Sequence, residues 1–95
     1  MEKYLQELVN LTSRSYEFRT RLNAMEALKR LNHLDENAIA NLFDASFHPN
    51  KRLAGPAKSL LKHFMLQTEY RKMIEKYFRE NTWEDWQTGI LGDLF

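Results

Sequence analysis

The chain has 95 residues, 43% hydrophobic and 28% charged, with a formal net charge of +1, which leaves room for one core and not for two. It has no cysteine, which excludes a disulfide scaffold and a cysteine-based zinc site. No apolar run approaches the roughly 20 residues of a membrane span, and the N-terminus lacks a signal-peptide core, so no membrane partner is expected.

Apolar residues recur every three to four positions, the helical period. Tyr4, Leu5, Leu8, Val9 and Leu11 predict a first short helix ending near Thr12–Ser13. Ser15 is the expected N-cap of a second helix running to about Leu31, with Phe18, Leu22, Met25, Leu28 and Leu31 on its buried stripe. Its outer face offers Glu17–Arg21 and Glu26–Arg30 pairs at i,i+4. After a tight link at Asn32–His33–Leu34, Asp35 caps a third helix that buries Ile39, Leu42, Phe43 and Phe47. Pro49 places its end at Phe47 or His48.

A fourth helix turns Leu53, Ala57, Leu60, Leu61 and Phe64 inward. Pro56 lies in its first turns, predicting a kink or a regular part that begins there. Thr68 is the expected cap of a fifth helix, whose Tyr70, Met73, Ile74, Tyr77 and Phe78 form the cleanest amphipathic pattern in the chain. Thr82 and Asp85 have capping-box spacing for a sixth, on which Trp83, Trp86, Ile90 and Leu91 share a face. Three glycines and two prolines leave little punctuation for strands. The expectation is all-α: a single helical repeat-like domain over residues 1–95. Short links favour antiparallel pairs, the second helix with the third and the fourth with the fifth. Stacked pairs make an ARM/HEAT-like α-solenoid fragment of five to six helices; a plain bundle gives similar spacing.

Catalytic constellations are missing from the pattern. His33, His48 and His63 are never three or four apart, so no two meet a metal from one helical turn. No serine sits in a G-x-S-x-G turn and no glycine-rich phosphate loop occurs. The carboxylate pairs Asp35–Glu36 and Glu84–Asp85 fall at predicted helix starts, where the helix dipole favours them. The chain is therefore expected not to be an enzyme, with no cofactor of its own.

Charge is unevenly spread. Residues 1–47 are net −1, residues 48–79 are net +6, and residues 80–95 hold four acids and no base. Lys51, Arg52, Lys58, Lys62, Lys72 and Lys76 make a candidate anion-binding ridge for phosphates or an acidic protein. An isoelectric point near 8.0 falls short of that of a dedicated nucleic-acid binder, and a solvated outer face explains the same charges. Trp83, Trp86, Leu94 and Phe95 carry more information. They either cap the local core or dock on another domain or protein, and a homodimer through this face is a further possibility.

The stretches Ser15–Tyr16–Glu17–Phe18–Arg19 and Ala24–Met25–Glu26–Ala27–Leu28 resemble the C-terminal helical domain of aminopeptidase-N-like zinc metallopeptidases. So do Asn41–Leu42–Phe43–Asp44–Ala45, the segment from Pro49 to Ala57, and Trp83–Glu84–Asp85–Trp86–Gln87. The resemblance spans residues 15–91. It implies an ARM/HEAT-like domain packed on a catalytic part that carries the zinc, stabilising it without supplying ligands. The family's zinc-binding and exopeptidase motifs have no counterpart here, and full domains of this kind are usually much longer.

Overall fold

A computed structural model describes residues 2–95. Its helices are α1 (Glu2–Asn10), α2 (Phe18–Leu31), α3 (Glu36–Ser46), α4 (Lys51–Met65), α5 (Thr68–Glu80) and α6 (Asp85–Leu91). No strand occurs among the described residues. The protein is all-helical, as the periodicity predicts.

Helix ends follow local hydrogen bonding. Asp35 caps α3 as expected, its carboxylate accepting from the Ala38 N–H at 2.8 Å. Asn50 caps α4 by accepting from the Arg52 N–H at 2.9 Å. Ser15 does not cap α2. It lies in a turn where its N–H donates to Ser13 Oγ, and the cap position falls to Glu17, whose side chain makes no capping bond. At the far end Asn32 adopts the left-handed conformation (φ 51°, ψ 43°). There the His33 N–H reaches the Leu28 carbonyl and the Asn32 N–H the Lys29 carbonyl, the Schellman pattern that satisfies the last carbonyls.

Three further ends differ from the sequence expectation. α4 begins at Lys51 and runs through Pro56, so its regular part does not start there. Proline supplies no N–H to the Arg52 carbonyl, which is tolerated because Arg52 is exposed. Thr68 is the first residue of α5 rather than its cap. Gln67 takes the cap position with no side-chain cap bond, since its amide is occupied elsewhere. The capping box of α6 pairs Glu84 with Gln87, whose Oε1 accepts from the Glu84 N–H at 2.9 Å, in place of Thr82 with Asp85.

α3 packs most extensively on α4, and α4 on α5. Links of four and two residues make both pairs antiparallel. The expected partnership of α2 with α3 is not a principal contact; α2 lies against α1 and α4 instead. The core centres on Phe43, Phe64, Leu28, Leu61 and Ile74, all essentially inaccessible. The molecule measures 36 × 29 × 19 Å.

A buried polar knot ties α1 to this core. Arg21, 3% exposed, donates from Nε to the Thr12 carbonyl at 3.0 Å and approaches Asp44 at 3.5 Å. Asn41 donates to the Val9 carbonyl and to Thr12 Oγ1. The solvent-facing Glu17–Arg21 pair expected from sequence is therefore replaced by a long-range pair to Asp44. Burial lowers the Arg21 pKa and the Asp44 carboxylate offsets part of that.

Candidate docking surface

α6 is too short to hold itself; side chains on the ends of α3 and α5 hold it. Trp83 sits in the extended lead-in before α6 and turns inward. Its Nε1–H donates to the Phe78 carbonyl at 2.8 Å. Its ring stacks on Phe43 (5.3 Å, 23°) and Phe78 (5.8 Å, 11°) and tilts against Phe47 and Tyr77. Phe95 stacks on the other side of Phe78 at 4.3 Å, and Trp86 meets Phe47 edge-on at 5.6 Å. A continuous aromatic row thus runs Trp86–Phe47–Trp83–Phe78–Phe95.

The four candidate docking residues divide. Trp83 is half-buried at the hub of the row, and Leu94 is 8% exposed. The two ends of the row stay open: Trp86 is 53% and Phe95 47% exposed. Trp83 and Trp86 do not share a helical face because α6 begins only at Asp85. The Trp86 indole N–H donates to the Glu84 carboxylate at 2.7 Å, which holds the ring against Phe47 with its other face to solvent.

The six candidate ridge residues also divide. Lys51, Lys58 and Lys62 lie on one stripe of α4, at i, i+7 and i+11, with Arg52 about 100° round the helix. Lys58 is half-buried and pairs with Asp93 at 3.5 Å. Lys72 and Lys76 are exposed on α5. Lys76 borders a groove of about 150 Å³ between α3 and α5, where Glu36 and Glu80 also line the wall. In that groove Tyr77 has a pKa raised by burial, then by Asp44 and Glu36. A second groove, about 340 Å³, lies between α2 and α4 over Leu22, Met25, Pro56 and Leu60.

His33 pairs with Asp35 at 3.2 Å, His48 Nδ1 accepts from the Asn50 N–H, and His63 packs edge-on to Phe64. Among the described residues no three histidine, aspartate or glutamate side chains converge as metal ligands. No described helix is long and apolar enough to cross a membrane.

Sequence reasoning missed two features. One is the Arg21 knot, although Arg21 shares the i, i+4, i+7 stripe of Met25 and Leu28 and was thus as well placed for burial as Leu22. The other is a clamp between Asn32 and Gln67, whose amides exchange hydrogen bonds at 3.1 and 2.7 Å while Tyr70 Oη donates to the Asn32 carbonyl. It joins residues 35 positions apart, and no local signal announces it. Compared with protein-family profiles, curated proteins and solved structures, the chain matches none of them.

Proposed function

We propose that this chain is a non-catalytic helical docking module that packs on a neighbouring protein through the outer face of α6. The carrying observation is the half-exposed Trp86, a large ring held in place by Phe47 and Glu84 yet open to solvent on its other side. Exposed aromatics on fixed supports mark interfaces, because they bury much area for little loss of side-chain entropy.

A narrower form of the reading makes it the C-terminal ARM/HEAT-like part of an aminopeptidase-N-like zinc metallopeptidase. It would pack on and stabilise the catalytic part, which holds the zinc. That form rests on the sequence resemblance. The repeat-like element rests on the same resemblance, and of its two expected helix pairs α4 with α5 is a principal contact while α2 with α3 is not. The alternative, a free-standing scaffold gripping protein or nucleic acid by the basic ridge, draws less from the geometry. Asp93 already pairs with Lys58, and Glu36 and Glu80 accompany Lys76.

A photoreactive residue at position 95, the other open end of the row, leaves Trp86 in place and tests the docking face in cells, with Tyr4 as a similarly exposed control position. The expected result is a discrete protein adduct from 95 alone; if that partner is a metallopeptidase catalytic part, the narrower form holds. Equal, diffuse labelling from both positions would count against the docking face. The isolated chain should show no peptidase turnover with added zinc, and zinc-dependent turnover would refute the non-catalytic reading.

A further inference from the structure

Among the described residues Leu66 is the most exposed large hydrophobic, at 84%, and sits at the tip of the two-residue turn between α4 and α5. Its neighbour Gln67 is clamped to Asn32, which brings the end of α2 with its half-exposed Leu31 to the same pole. Four exposed cations, Lys29 and Arg30 in the last turn of α2, Lys62 in the last turn of α4 and Arg71 at the start of α5, sit on the helix ends that meet at this pole, and exposed Glu69 in the first turn of α5 offsets one of them. None of these four enters an ion pair: the pairs among the described residues are Arg21–Asp44, His33–Asp35 and Lys58–Asp93.

The opposite chemistry lies at the other end of α5, about 20 Å away at 1.5 Å per residue over its 13 residues. Residues 80–95 carry four acids and no base, with exposed Arg79 just before them, and among the described residues only Asp93 of the four is paired with a cation. Exposed Glu84 and Asp85 adjoin Trp86, so this segment offers a large apolar ring with anions beside it. The leucine pole offers apolar side chains with cations beside them. The length of α5 keeps the two surfaces of one molecule apart.

We propose that the α4–α5 turn, with Leu66 at its tip, is a second docking surface, and that its occupant is the acidic, Trp86-bearing α6 segment of another copy of this chain. The inference rests on the reading of α6 as a docking face and assigns its partner. The contact is head-to-tail, so each copy keeps one surface free and association continues beyond the dimer. Charge complementarity makes it weaken as salt rises.

Sedimentation of the full chain tests this at low salt and at about 300 mM salt, where the screening length drops well below 10 Å. Mass should grow with concentration at low salt, and the association constant should fall at least tenfold at high salt. Leu66→Asp and Trp86→Ala should each sediment as monomers with helical content and urea midpoints near the parent's. Their mixture should form a 1:1 dimer and stop there, because one variant keeps an intact α6 and the other an intact pole. A parent chain monomeric at every concentration would overturn the self-association while leaving α6 docking to the photo-crosslinking test. Undiminished association of Leu66→Asp would also overturn it, pointing to a symmetric Trp86-to-Trp86 contact.

Discussion

Trp83 and Trp86 stand three residues apart and have opposite surroundings. Trp83 touches four aromatic rings and donates to the Phe78 carbonyl. Trp83→Ala should cost about 3 kcal/mol, the low end for a large aromatic because the ring is half-buried. Trp86→Ala removes one edge contact and should cost less than about 1 kcal/mol. Urea midpoints of the two variants check the contrast. Arg21→Met strands the Thr12 carbonyl, in a fully buried residue, and should destabilise by about 1.5–3 kcal/mol. Denaturant melts should report this as a lower midpoint with an unchanged slope. Tyr77 gives a pH test. Its folded pKa is raised, so above the ordinary value of 10.0 the unfolded chain loses the phenolic proton first and stability falls as pH rises. Tyr77→Phe should flatten that alkaline loss and leave neutral stability nearly unchanged; parallel curves for the two proteins would exclude this role.

At the scale of elements, apolar periodicity located all six helices, because a stripe at three-to-four spacing reports burial directly. Ends were legible where a residue caps through its own short side chain, as Asp35 does. They were not where tertiary contacts claim the capping group. Gln67 is engaged by Asn32, across 35 positions of sequence; Ser15 misses for a different reason, since a turn with its N–H on Ser13 Oγ delays the first helical residue to Phe18. α4 runs through Gly55–Pro56 because Asn50 caps it ahead of them, a strong start that punctuation alone conceals. Gly55 is exposed, and an added Cβ there would meet nothing within 4 Å beyond its chain neighbours and its own helix backbone, but it directly precedes Pro56, whose Cδ crowds a Cβ on the residue before it in a helix. Gly55→Ala should therefore gain less than the about 0.5–1 kcal/mol of an ordinary helix glycine, measured as a urea midpoint close to the parent's. A midpoint raised by the full amount would contradict the pre-proline crowding.

Across the whole molecule, the core was legible and the surface only in part. Phe43, Phe64 and Ile74 fall where their periodicity puts them. The candidate docking set mixed two environments, since Trp83 and Leu94 point into the fold while Trp86 and Phe95 remain open. Spacing could not separate them, because the helix that would place Trp83 beside Trp86 starts two residues too late. The resulting picture is a small helical stack whose aromatic row is closed in the middle and open at both ends. The most direct test of that picture is the yield of cross-links from a photoreactive group at Phe95, in the parent chain and in Trp86→Ala. A docking face centred on α6 predicts at least a tenfold loss of the partner adduct in the variant, with the urea midpoint nearly unmoved. An unchanged yield would contradict it.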